Sequence, residues 1–337
     1  MKKILTVLAL TKILTALLIT VSFAQDALPA TDIYALDISK DSKGKLHFEN
    51  PYLITKNEGY DNQPWYYADG SAILYCAVND TFGADILKYN FFQNKTNVLI
   101  NTPFTAEYSP MVMADKVGIS CIRVLEDDST QVMARCDDKT DSCKNLFPKL
   151  TKVAYYAWID GARAAMLILG NEDSISLQIG NISNGEIKRV AEETGRCIQK
   201  VPGKNALVAF VDKSNESQWQ IKTYDSKSGK ISTVVECVEE SEDFCYMPDG
   251  SILMGSGPML WRYVPPVAVA TAGGKQAPAP AKDDKKDEKK DKKKAEKNKN
   301  WDMVADFRGT AVAQFYRMAV SPKGDKMVMV TYPDDRP

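Results

Sequence analysis

The chain has 337 residues, 44% apolar and 26% charged, with 43 Lys and Arg against 44 Asp and Glu and a formal net charge of −1. That balance excludes a wholly disordered chain, a collagen-like repeat and a polytopic membrane protein. The charge is uneven: residues 1–24 carry +3 and residues 275–300 carry +5, leaving about −9 on the presumptive folded body. Such an acidic body is unsuited to nucleic acid, whose binding draws on Lys and Arg displacing counterions.

The N-terminus, MKKILTVLALTKILTALLITVSFAQDA, joins a basic start to an apolar stretch from Ile13 to Phe23 and the small residues Ser22 and Ala24. This is the pattern of a secretory signal spanning residues 1–24 and cleaved before Gln25. A retained membrane anchor fits less well, because Lys12 splits the apolar run and leaves too little to span a bilayer. No Cys follows the cleavage site, so no lipid anchor is indicated. The expectation is an exported chain, periplasmic or at the cell surface, with no transmembrane segment after cleavage.

Next comes DIYALDISKDSKGKLHFENPYLITKNEGYDN, which reads as a second hairpin with no first one before it. From there a unit of short strand, Asp-Gly or Pro-Gly-Lys turn and apolar strand begins at Asn62, Tyr108, Val153, Arg196, Glu242 and Tyr316. The intervals are 46, 45, 43, 46 and 74 residues, and a period near 45 is about the size of a four-stranded propeller blade. Units one, three and four continue into second hairpins turned on Asn-Lys, Asn-Gly and Ser-Gly. The long interval holds residues 265–300, rich in Lys, Asp, Ala and Pro, which cannot bury enough apolar surface to offset ordering entropy and read as a disordered insertion within blade five.

The C-terminal YRMAVSPKGDKMVMVTYPDDRP is a first hairpin lacking a second. Residues 32–58 and 314–332 are therefore expected to complete one composite blade that closes the ring and leaves no open edge. An open solenoid is the alternative and would call for capping units. The fold expected is all-β: a single six-bladed β-propeller over residues 25–337.

The residues also resemble a known family. ITKNEGYDNQPWYYADGSAILYCAVNDTFGADILKYN looks like the repeat of TolB-like six-bladed propellers, also called WD40-like or PD40 repeats, with its core at Pro64, Asp69, Gly70, Ile73 and Tyr75. The match extends to Tyr108–Ile122 and to Tyr316–Val330, which keeps Ser321-Pro322-Lys323-Gly324. Units three to five depart from it: Tyr155 stands where Pro is usual, unit four has Pro-Gly-Lys-Asn at 202–205, and unit five is short. The resemblance implies the fold and contacts with envelope proteins, and names no ligand.

Catalytic chemistry is sparse. The single His47 lies on an expected outer strand, so Ser-His-Asp or Cys-His catalysis would depend on it alone. GSGPM at 255–259 is not a nucleophile elbow. Seven cysteines without CxxC spacing argue against zinc; Cys136 and Cys143, across a polar turn, are the candidate disulfide, and Cys76 and Cys121 sit in apolar strand centres as expected free thiols. No cofactor or metal site is expected. The acidic runs at Glu126-Asp127-Asp128 and Asp137-Asp138 fall on turns, where Asp bonds nearby backbone, whereas residues 239–243 lead into an inner strand.

The first strand of each blade lines a propeller's channel, so the unit starts should converge on one mouth. The candidate ligand-binding residues there are Asn62, Gln63, Tyr108, Arg196, Glu242, Asp243, Tyr316 and Arg317, with Val153 at the equivalent place in unit three. Trp65, Trp158 and Trp219 are expected to pack between blades. The reading is a monomeric, non-enzymatic binding or scaffold propeller for an envelope protein, peptide or glycan, with the outer rim as a second possible binding surface. The alternative is a carboxylate-based hydrolase or lyase in the channel, for which Glu242 and Asp243 are the pair to test.

Overall fold

The computed structural model describes residues 28–55, 58–78, 83–113, 117–171, 174–239, 241–266 and 298–333. Residues 1–24, expected as a signal, and most of residues 265–300, expected as a disordered insertion, lie outside the described residues.

Twenty-four described strands form six four-stranded antiparallel sheets. Blade one is β3 (Tyr60–Tyr66), β4 (Ala72–Val78), β5 (Ala84–Asn90) and β6 (Lys95–Ile100); blade two is β7 (Ala106–Val112), β8 (Ile119–Val124), β9 (Gln131–Cys136) and β10 (Cys143–Asn145). Blade three is β11 (Val153–Trp158), β12 (Arg163–Leu169), β13 (Ile175–Asn181) and β14 (Ile187–Ala191); blade four is β15 (Thr194–Lys200), β16 (Leu207–Asp212), β17 (Gln220–Asp225) and β18 (Ile231–Glu236). Blade five is β19 (Phe244–Tyr246), β20 (Ile252–Ser256), β21 (Met259–Tyr263) and β22 (Asp302–Asp306), with the insertion between its last two strands.

The sixth sheet confirms the composite blade. Its order is β2 (Leu46–Leu53), β1 (Asp32–Lys40), β24 (Lys326–Thr331) and β23 (Phe315–Val320), so strands from opposite ends of the chain meet in the middle. Asp32 to Asp37 pair antiparallel with Thr331 to Lys326. Thr31 carries the seal into blade one: its N–H donates to the Gly59 carbonyl at 3.1 Å and its hydroxyl to the Asp61 carbonyl at 2.9 Å.

Each blade is covered on both faces, and strand alternation shows how. In β4, Ile73, Tyr75 and Ala77 join the apolar cluster shared with the composite blade, while Leu74 joins the cluster shared with blade two. A period of two thus sends alternate residues to different neighbours, which is why β4 reads as a continuous apolar run. Six such clusters among the described residues, one per junction, hold the ring.

The turns follow the motif chemistry. Gly70 has φ of +74°, a backbone an L side chain resists, and its N–H closes the turn onto the Tyr67 carbonyl at 2.9 Å. Asp69 accepts from the Ser71 N–H at 3.0 Å. Cys136 and Cys143 are disulfide-bonded across the β9–β10 turn, with Cα atoms 4.1 Å apart. His47 stands on β2, the outermost strand of its blade, 3.6 Å from Asp41.

Candidate functional site: the central channel

The inner strands carry a recurring irregularity that shapes the channel. The pairing register shifts between Asn62 and Trp65, Tyr108 and Met111, Val153 and Tyr155, Thr194 and Ile198, and Phe315 and Met318. An extra residue there bends the strand and re-aims side chains. Gln63 and Ser109 take φ of 57° and 51° at these points, and each is followed by a proline, Pro64 or Pro110. Proline lacks an N–H for the ladder, so the bulge is where an inner strand tolerates it.

The channel has two adjoining chambers. The narrow one, of about 120 Å³, receives residues from all six blades, among them Gln63, Ser109, Tyr155, Arg196, Asp243 and Arg317. The wide one, of about 820 Å³, opens toward the turns after the inner strands, with Trp65, Met113, Trp158, Val201, Tyr246 and Val320 on its wall. Trp65, Met111, Ile198, Gln199 and Ala319 line both, so the two spaces adjoin.

Polar links across blades brace the narrow chamber. Arg317 Nη1 donates to Asn62 Oδ1 at 2.6 Å and Nη2 to the Tyr155 hydroxyl at 3.4 Å. Asn62 Nδ2 donates to the Tyr316 hydroxyl at 2.5 Å. The Arg317 guanidinium also lies over the Tyr155 and Tyr316 rings, 5.4 and 5.8 Å from their centres. Gln63 Oε1 accepts from the Ser109 N–H at 2.6 Å, tying blade one to blade two.

Between blades four and five, Arg196 Nη2 meets Asp243 Oδ2 at 2.9 Å, and the Arg196 N–H donates to Glu242 Oε2 at 3.0 Å. Lys213 Nζ is 2.8 Å from the same Glu242 oxygen. Burial alone would raise the Glu242 carboxyl, but the bonds from Lys213 and Arg196 and the charge of both cations hold it below its ordinary value. Burial pushes the Cys76 and Cys197 thiols up to about 12, so neither is a thiolate nucleophile at neutral pH.

Of the residues singled out in the sequence, Gln63, Arg196, Asp243 and Arg317 line the narrow chamber together. Asn62, Tyr316 and Glu242 act through them, by bonding to Arg317, to Asn62 and to Arg196 respectively. Tyr108 and Val153 pack into the cluster between blades two and three. Trp158 packs into the junction of blades two and three and also faces the wide chamber, whereas Trp65 joins none of the six junction clusters and borders both chambers. Tyr155 and Gln199 are channel residues that strand counting missed. Tyr155 had left a trace, as the residue occupying a proline position of the repeat.

The sequence matches no protein-family model and no curated protein. Solved structures share the fold. Over 91% of this chain and 99% of its own, the putative TolB from Agrobacterium tumefaciens superposes with a TM-score of 0.59 at 12% identity. TolB from Acinetobacter baumannii gives 0.53 at 12% identity over 91% of this chain, which spans 65% of that protein. An oligogalacturonate lyase from Vibrio parahaemolyticus gives 0.53 at 11% identity, covering 89% and 92% of the two chains. The architecture is thus that of TolB-like six-bladed propellers, and it hosts both TolB proteins and an enzyme. No helix among the described residues is long and apolar enough to cross a membrane.

Proposed function

We propose that this protein is an exported binding or scaffold propeller of the bacterial envelope that takes a protein, peptide or glycan partner at its central channel. The observation that carries this reading is the pair of adjoining chambers, to which every blade contributes. Rigid walls with a few fixed polar groups in a largely apolar cavity suit recognition. The signal-like N-terminus and the TolB-like architecture support the envelope setting.

A channel acid for glycosidase or lyase chemistry would need one carboxyl poised to donate a proton. Glu242 is shifted the opposite way and is held by two cations. This favours binding over carboxylate catalysis.

The test is a steric plug. Gln199 borders both chambers and is half-buried, so Gln199→Trp should fill the passage while leaving the blade junctions alone. Pull-down from the native envelope should lose its partners with the plugged protein; an unchanged set would overturn the channel reading and favour the rim.

A further inference from the structure

Arg317 stands in the channel without an acidic partner. Its two hydrogen-bond acceptors, Asn62 Oδ1 and the Tyr155 hydroxyl, are neutral, and among the described residues no carboxylate lies within ion-pair distance of it. Asp243 is close enough to be felt, but its carboxylate is taken by Arg196 at 2.9 Å. Guanidinium stays charged at any accessible pH, and a cation out of bulk water with only neutral partners is poorly compensated.

The charges around the narrow chamber favour an anion of low charge. Arg196, Arg317 and Asp243 line the narrow chamber, and Glu242 and Lys213 are joined to them by ion pairs. These five groups leave one positive charge, and the buried Asp61 beside Asn62 offsets part of it. A monoanion suits this balance better than a phosphate dianion, which would also meet Asp243.

Beyond this point the wall turns apolar and widens. Trp65, Met111 and Ile198 continue from the narrow chamber into the wide one, where Trp158, Val201, Tyr246 and Val320 join them. Lys200 and Asp160 supply polar groups in the wide chamber. Three residues of strand separate Arg317 from Val320, a span of about 10 Å at strand rise. An extended peptide covers that with roughly three residues.

We propose that the channel binds the C-terminal end of a peptide, its free α-carboxylate on Arg317 and its last apolar side chains in the wide chamber. This rests on the channel being a binding site and names the chemistry of its occupant. A lone alkyl chain would leave a chamber of about 820 Å³ largely filled with water, whereas bulky or aromatic side chains fill it. The guanidinium fork matches a carboxylate in two parallel hydrogen bonds, with the Tyr155 and Tyr316 rings holding its plane in place.

The experiment titrates the full chain, by calorimetry and tryptophan fluorescence, with acetylated hexapeptides that share Gly-Ser-Gly and vary the last three positions among Val, Leu, Phe and Trp. Each is made as free acid and as C-terminal amide, and decanoate and inorganic phosphate are run beside them. Free acids should bind at least tenfold more tightly than their amides. Arg317→Gln should abolish that preference, and Tyr155→Phe should reduce it several-fold. Melting curves of both variants check that the ring is intact, and Tyr155→Phe keeps the test open if Arg317→Gln does not fold.

Equal affinity for acid and amide, a preference that survives Arg317→Gln, or binding of decanoate or phosphate with no peptide bound would each overturn the inference. If Gln199→Trp removes peptide binding but acids and amides bind alike, the carboxylate assignment fails and the channel reading stands. If the plug leaves every envelope partner bound and no peptide binds, both fail.

Discussion

Glu242, at the start of blade five, reaches blade four and accepts a hydrogen bond from the Arg196 N–H at 3.0 Å. Lys213 bonds the same oxygen, so one carboxylate serves a backbone donor and a cation on the neighbouring sheet. Glu242→Gln should destabilise the protein by about 1–2 kcal/mol in urea unfolding at neutral pH. Because the folded-state pKa is lowered, this contribution is full above the ordinary Glu value and is lost as pH falls through the folded value. The gap between wild type and variant should close in strong acid; a gap that persists there would show that the charge is not its source.

Gly195 makes that contact possible. A Cβ on it would stand 2.7 Å from Glu242 Oε2 and 3.0 Å from Val211 Cβ. Gly195→Ala should therefore lower the melting temperature by several degrees, roughly 1–3 kcal/mol of overpacking, and should weaken any channel binding that needs Arg196 in place. Unaltered melting would mean that the junction of blades four and five yields without cost.

Asp85 behaves in the opposite sense. Burial raises its carboxyl to about 6, with help from the charges of Glu107 and Asp141. Between roughly pH 4 and 6 the folded protein binds more protons than the unfolded chain, so stability falls as pH rises through that window. Asp85→Asn should flatten this slope and stabilise the protein at pH 7.5 by roughly 1–2 kcal/mol. Parallel melting curves at pH 4 and 7.5 decide it, since equal effects at both would exclude titration of this group.

The Cys136–Cys143 bond closes a loop with a sequence separation of 7 on the outer half of blade two. Loop-closure entropy assigns such a bridge about 2 kcal/mol. The double variant Cys136→Ala, Cys143→Ala should unfold at correspondingly lower urea concentration and keep any channel ligand, because β10 is the strand farthest from the lumen. Loss of ligand binding with folding intact would contradict that separation.

Blade number, the composite blade and the turn residues were legible because they rest on period, on Gly at positive φ and on complementary half-repeats at the two ends. The lumen was only partly legible. Strict alternation places Asn62 and Gln63 on opposite faces, and the bulge at Gln63 interrupts that count. Counting from the turn points Tyr108 at the lumen, yet it packs between blades, and Ser109 beside it faces the channel. Tyr155 and Gln199 escaped for the same reason, since a one-residue irregularity in an inner strand shows in the sequence only as a proline or its replacement.

Asp37 and Lys326 pair at 2.6 Å although 289 residues separate them. Strand β1 is the first described strand of the chain, and its partner β24 is the last. Until β24 joins them, β1 and β2 pair only with each other, and the intervening blades stand as an unsealed arc with an exposed edge at each end. Ring closure therefore depends on contacts of very high sequence separation, and a chaperone acting on this protein before closure would meet that arc rather than the finished ring.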